Sequence, residues 1–265
     1  MGAGVAVVTG GGRGLGRGIA LALAEAGFDL VLGWVSDSEA ASETATAAEA
    51  PAAEAATGAG RRVVLVHGDV ADPATAKLLL DAAVSLGGLT AWVNNAGVSV
   101  LAPVVDTDPA DMARMVEINL LGTFHGLQAA GRWFRAEQRP GRIVNLASDL
   151  GVQACANLGG YAATKFAVVG LTQAAAVELA PTGITVNAVC PGTAETDMVL
   201  AERDRETAMT GSSAEDVRRS YLDAIPAGRF CTPADVGGLV AWLCGPSASY
   251  VTGQAICVNG GSVLH

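Results

Sequence analysis

Short runs of consecutive apolar residues recur along this chain, and longer stretches with helical spacing separate them. "VAVVTG" (5–10), "DLVLGW" (29–34), "VVLVHGDV" (63–70), "TAWVNNAG" (90–97), "GRIVNLAS" (141–148), "GITVNAVCPG" (183–192) and "QAICVNGG" (254–261) read as strands. "RGLGRGIALALAEAG", ending at Gly27, reads as a helix, as do 73–86, 109–138, 161–180 and 233–245. Strands that are apolar throughout are covered on both faces, and their alternation with helices makes the sheet parallel. The pattern predicts an α/β, three-layer, doubly wound fold with a sheet of about seven strands. No repeat or linker divides it, so residues 1–265 are expected to form one domain.

Two segments break the rhythm. Residues 38–60 are alanine-rich and acidic, and Pro51 should end or kink any helix there. Residues 195–225 are charged and follow a strand end; two short helices with a Gly-Ser joint at 211–213 fit them. Ligands of an open α/β sheet sit beyond the carboxyl ends of its strands, so the segment from about 193 to 225 is placed as a lid.

Composition narrows the function. The net charge of −10 argues against a general nucleic-acid binder. The longest uncharged stretches are cut by Gly, Pro and Asn, so none reads as a membrane span. The N-terminus opens directly into the first strand, which suggests a cytoplasmic protein. The five cysteines form no C-x-x-C pair and are expected to be reduced and mostly buried, with no metal site. Cys155 is read as a small buried residue, with a place in a pocket wall as the alternative.

Thr9-Gly10-Gly11-Gly12-Arg13-Gly14-Leu15-Gly16 follows the first strand and opens a helix. Glycines there allow a tight turn and close backbone approach to a pyrophosphate. The spacing is Gly10-x-x-x-Gly14-x-Gly16, and a methyltransferase would also begin with a strand and a glycine loop. Tyr161 and Lys165 share a helix face, being four residues apart. The chain has fourteen arginines and only two lysines, so a lysine here suggests a task unsuited to a guanidinium fork. A nearby ammonium lowers a phenol's pKa from its usual value of about 10, which suits proton exchange with an alcohol or carbonyl oxygen. The same spacing also fits an ordinary surface pair. Ser148 closes a strand thirteen residues earlier and can converge on the oxygen that Tyr161 protonates. Asn119 lies mid-helix and needs partners, which a water shared with Lys165 would supply.

These residues together resemble the short-chain dehydrogenase/reductase family over nearly the whole chain. The match runs through Thr9-Gly10-x-x-x-Gly14-x-Gly16, Asp69-Val70, Asn94-Asn95-Ala96-Gly97, Asn119, Ser148, Tyr161-x-x-x-Lys165, Pro191-Gly192 and "TGQAICVNGG". The resemblance implies a single Rossmann-type domain, a nicotinamide cofactor and a catalytic tetrad of Asn119, Ser148, Tyr161 and Lys165. In it Tyr161 is general acid and base, Ser148 orients the substrate oxygen, and Lys165 tunes Tyr161 and binds the nicotinamide ribose. Asn119 holds a water linking Lys165 to solvent. It also implies cofactor contacts from Gly10, Gly12, Gly14, Leu15 and Gly16, from Asp69 and Val70 at the adenine, and from Asn95, Ala96 and Gly97 at its ribose. Pro191, Gly192, Ala194 and Thr196 meet the nicotinamide amide. The family is often tetrameric, so a homotetramer or homodimer is expected, with the 109–138 and 161–180 helices pairing between subunits.

The second strand ends at Trp34 where NAD-preferring relatives place an aspartate. Arg13, with Ser36 and Ser38, can meet a 2′-phosphate, which favours NADP(H) over NAD(H). Asp37 turned inward would reverse the preference. The resemblance implies an oxidoreductase moving hydride between this cofactor and a small-molecule carbonyl or secondary alcohol. A catalytically silent nucleotide sensor or scaffold of the same fold is the alternative. The substrate pocket's walls are expected from about 99–105, 149–158 and 193–221, with Val100, Leu101, Leu150, Val152, Met198 and Tyr221 as mostly apolar candidates.

Overall fold

The computed structural model describes residues 4–50 and 60–265. Seven strands form one parallel sheet in the order β3-β2-β1-β4-β5-β6-β7. They are β1 (Gly4–Val8), β2 (Phe28–Trp34), β3 (Val63–His67), β4 (Leu89–Asn94), β5 (Gly141–Leu146), β6 (Ile184–Pro191) and β7 (Ala255–Val258). β3, β4 and β7 each stop three residues short of the expected runs, and after β3 the residues Gly68, Asp69 and Val70 line the site. β1 lies between β2 and β4, with Val8 opposite Leu32 on one side and Val93 on the other. The chain therefore leaves β1 toward β2 and later returns to β1's other side with β4. The carboxyl ends of these strands part there and leave a crevice.

Successive strand residues face opposite sides of a sheet, so a wholly apolar strand feeds two cores. Leu30 and Leu32 join Ile19 and Leu23 of α1 (Gly14–Glu25) and Val240 and Leu243 of α9 (Pro233–Cys244). Val31 joins the opposite core, with Leu79 of α3 (Pro73–Ser85), Phe134 of α5 (Gly122–Ala136), Trp92, Ile143 and Ile184. Burying one such side chain contributes roughly 1.5–3 kcal/mol. α1 and α9 cross backbone to backbone: a Cβ on Gly18 would stand 2.4 Å from the Pro233 carbonyl oxygen. That contact sets the start of α1 tightly on the sheet.

One buried polar chain runs through the second core. Trp92 Nε1 donates to Asn94 Oδ1 at 2.7 Å, Asn94 Nδ2 to Asn145 Oδ1 at 2.8 Å, and Asn145 Nδ2 to Thr172 Oγ1 at 2.9 Å. It ties β4, β5 and α6 (Gly159–Leu179) in one register just behind the strand ends. Such a network is favourable only when every member is satisfied, as here.

The helix expected over 109–138 is three pieces. α4 (Pro109–Met115) passes into a π-helical turn over Val116–Leu121 before α5 begins. α2 (Ser38–Glu49) ends two residues before Pro51; the rest of the alanine-rich segment, 51–59, lies outside the described residues. After β6 come α7 (Asp197–Thr210) and α8 (Ala214–Asp223), jointed at 211–213 as expected. Gly211 takes a left-handed φ of +71° there, which closes α7. Among the described residues no helix is long and apolar enough to cross a membrane.

Candidate active site

A cavity of about 840 Å³ spans the crevice from the β1–α1 turn to α7 and α8. Its first wall is the glycine turn. Gly10 and Gly14 hold left-handed φ values of +62° and +52°, which side chains rarely adopt. A Cβ on Gly16 would lie 2.0 Å from the Gly10 carbonyl oxygen, so only glycine fits. Asn95 braces the turn, its Nδ2 donating to the Thr9 and Gly10 carbonyls at 2.9 and 3.0 Å. Thr9 Oγ1 accepts from the Asn95 and Ala96 N–H groups in return. Arg13 precedes α1 and provides no side-chain cap, and the first turn carries no acid. The leading N–H groups of α1 thus face the cavity's end without a side-chain partner, an arrangement suited to a phosphate.

Trp34, Ser36, Asp37, Asp69 and Val70 line the next stretch. Trp34 packs on His67 with ring centroids 4.6 Å apart. Asp37 does not turn inward as a free carboxylate: its Oδ1 accepts from Ala40 N at 2.9 Å and caps α2. Arg13 also lines the cavity, and its guanidinium meets Asp197 at 2.7 Å in an exposed pair. Burial acts to raise the Asp69 pKa, but the Ala71 N–H and the Arg114 guanidinium outweigh it and hold the carboxyl low.

The opposite end holds the expected chemical groups. Ser148 follows β5, and its Oγ donates to Asp149 Oδ1 and accepts from Leu150 N, each at 3.1 Å. Tyr161 lies in the first turn of α6, with its hydroxyl beside Ser148. Lys165, one turn on and 4% exposed, donates from Nζ to the Leu146 carbonyl at 2.8 Å. Its Nζ is 5.6 Å from the Tyr161 ring centroid. Burial pushes the Tyr161 hydroxyl well above its ordinary value, with the Glu202 charge adding to the rise. This corrects the expectation of a lowered tyrosine pKa: Lys165 is turned to Leu146, and desolvation of the phenolate prevails. Burial brings Lys165 itself down to about 8.

Of the four expected catalytic residues, Asn119 does not line the cavity. Its Oδ1 accepts from Val98 N at 2.8 Å, and its Nδ2 donates to Val98 O and Thr164 Oγ1 at 2.8 and 3.0 Å. The side chain thus has three hydrogen-bond partners within the protein. It pins the loop after β4 to α6, and Gly97 packs between Asn119 and Lys165.

Gly10, Gly12, Arg13, Gly14, Leu15, Gly16, Asn95, Ala96, Gly97, Pro191, Gly192, Ala194 and Thr196 all line the cavity. So do Leu150, Met198 and Tyr221, whereas Val100, Leu101 and Val152 do not. Leu101 is buried elsewhere, and Val152 packs against Val168 and Cys190. Cys155 is exposed and lines the cavity, so of its two readings the pocket position holds and the small core residue does not. Only Cys190 and Cys244 are fully buried. Ser99, Asp149 and Glu202 fall within the stretches expected to wall the pocket (99–105, 149–158 and 193–221) without having been singled out, whereas sequence reasoning missed Arg114 and Ser262. Asp149 had a signal, adjoining Ser148, and Glu202 had another, four residues after Met198 on one helix face.

Known proteins resemble this chain over nearly its whole length. A family model described as enoyl-(acyl carrier protein) reductase matches residues 10–263. The chain is 40% identical to L-2,3-butanediol dehydrogenase of Corynebacterium glutamicum over 98% of this chain and 99% of that one. The crystal structure of levodione reductase superposes with a TM-score of 0.89 at 31% identity, covering 100% of both chains. That of acetoin dehydrogenase from Enterobacter cloacae gives 0.82 at 34% identity, over 98% of this chain and 95% of that one. With a parallel seven-stranded sheet, a glycine turn at its switch point and matches end to end, the chain belongs to the short-chain dehydrogenase/reductase family, oxidoreductases of alcohol and carbonyl substrates.

Proposed function

We propose that this chain interconverts a small ketone and its secondary alcohol with NADP(H), Tyr161 serving as proton donor and acceptor. The observation that carries the reading is the meeting of Ser148, Tyr161 and Lys165 in a cavity continuous with the glycine turn. Relatives named for butanediol and acetoin support a small oxygenated substrate. The residues suit the cofactor: α1's uncapped N-terminus and the Cβ-free turn would hold the pyrophosphate, and Gly192, Ala194 and Thr196 the amide end. When bound, the nicotinamide supplies or takes up the hydride. Tyr161, kept protonated by burial, donates to the carbonyl oxygen in reduction. Ser148, held by Leu150 N, is set beside it to share that oxygen. Lys165, near 8, replenishes the proton that Tyr161 gives up.

A Tyr161→Phe variant tests the assignment. Its kcat is expected to fall by about 10³-fold or more with cofactor binding retained. Turnover within tenfold of wild type would refute the role.

The preference for NADP(H) rests on the end of β2. Trp34 offers no carboxylate, Asp37 is occupied as a cap, and Arg13 lines the cavity. Exposed Leu121 and Phe124 on the helix before β5, and Phe166 and Val177 on α6, support assembly of subunits through those helices. Light scattering in solution checks this, and a monomer would overturn it.

A further inference from the structure

Glu202 stands apart from the other acidic groups around the substrate end. It sits one turn after Met198 on α7, and both line the cavity with Ser99, Tyr161 and Tyr221. One turn further, Glu206 is engaged by the Tyr221 hydroxyl at 2.7 Å. Asp149 is held by Ser148 at 3.1 Å and by Ser262 at 3.2 Å. Glu202 makes no ion pair among the described residues, although four arginines share its segment. Arg203 and Arg218 both turn to Glu195, at 3.6 and 3.1 Å, and stack on Phe230. The Lys165 ammonium is committed to Leu146 O. Beside Glu202 lies the Ser99 hydroxyl, buried and without a well-aligned hydrogen bond. Burial raises the Glu202 pKa, with Ser99 opposing the rise.

Glu202 is partly buried with no cation paired to it, and with Ser99 as a neighbouring donor its carboxylate still has acceptor capacity for another. The protein's own cations are turned elsewhere, so the open direction is the cavity. We propose that Glu202 is a specificity residue, accepting a hydrogen bond from a hydroxyl or ammonium that the substrate carries next to its reacting carbonyl. Ser99 completes this second polar contact. The inference rests on the ketone-reductase reading above and adds the substrate class: α-hydroxy- or α-aminoketones in preference to simple ketones and to ketoacids, whose carboxylates Glu202 and Asp149 would repel.

The test compares wild type, Glu202→Gln and Glu202→Ala with acetoin, 3-amino-2-butanone and 2-butanone, measuring kcat and KM for each with saturating NADPH. Glu202→Ala is expected to lose about tenfold or more in kcat/KM for acetoin, mostly through KM, and under about threefold for 2-butanone. Glu202→Gln keeps an acceptor oxygen but no charge. It is expected to lose about threefold for acetoin and about thirtyfold or more for the aminoketone if an ammonium is the donor recognised; equal losses assign the site to a hydroxyl. A parallel fall for all three substrates, or none, would overturn the inference while leaving the reductase reading intact. Failure of wild type to reduce any of them would overturn both. Should Glu202→Ala not fold, the near-isosteric Gln variant still decides.

Discussion

At the glycine end of the cavity, main-chain atoms form the wall. Gly10, Gly14 and Gly16 leave no Cβ to intervene, and Asn95 and Thr9 fix the turn with four bonds. At the far end the wall is side chains: Met198, Glu202 and Tyr221 reach in from two helices joined at 211–213. The first wall depends on backbone geometry, where one added methyl meets a carbonyl. The second can be rewritten residue by residue without moving the sheet. A family can therefore keep one ligand constant and vary the other, because the two ends draw on different physical resources.

The sharpest way to break this contrast is a methyl at each end. Gly16→Ala places a Cβ 2.0 Å from Gly10 O and 2.7 Å from Asn95 Nδ2, so the turn must shift. Cofactor KM is expected to rise about 100-fold, with a loss of about 1–3 kcal/mol in stability. Met198→Ala should alter substrate KM by less than about fivefold and leave cofactor KM unchanged, since a cavity-lining side chain is truncated into open space. Comparable cofactor effects from the two variants would remove the distinction.

Lys165 sits where the two ends meet and gives a pH test. Its pKa is lowered in the folded protein, to about 8 from an ordinary 10.5. Between these values the unfolded chain binds more protons, so this group's contribution to stability rises with pH through that window. Below about 8 the lysine is charged in both states and the folded state bears the full burial penalty. Lys165→Met should therefore be more thermostable than wild type near pH 7.5, by on the order of 5 °C, with the gap narrowing toward pH 10.5. Melting curves across that range check it; a constant gap would mean that Leu146 O offsets the burial penalty and leaves the pKa unshifted, which would overturn the prediction.

The smallest effect is expected at the Arg13–Asp197 pair, which joins the two ends across the mouth. Both side chains are more than half exposed, so the pair is weak and readily opened. Asp197→Asn should lower the KM for NADPH by about two- to threefold and leave that for NADH unchanged, since it frees a guanidinium for a 2′-phosphate. A tenfold preference of wild type for NADH would sink the NADP(H) reading altogether.

Much of this arrangement was legible in the chain. Doubly apolar strands announced a covered parallel sheet, and the joint at 211–213 announced two helices. The spacing of Tyr161 and Lys165 placed them on one face because helical geometry is local. What escaped was non-local. The direction of the Tyr161 pKa depends on how much protein surrounds the phenol, which no spacing encodes. Asn119 satisfies itself on Val98, reached through a loop 21 residues away in sequence. Glu202 looked like one charge among many on a polar lid, and only the turning away of Arg203 and Arg218 sets it apart.

The π-helical turn at Val116–Leu121 is a phase adapter. It spends one residue more than an α-helical turn, which shifts the helical wheel of α5 by about 100° from the one α4 begins. Met115 can then face Gly160 at the start of α6, while Gly126 faces Trp92 and Asn94 under the sheet. A single continuous wheel could not aim both stripes. Chain length is thus unforgiving at this buried spot. Deleting one residue from 117–121 would leave composition and charge nearly intact, yet rotate one packing stripe away from its partner.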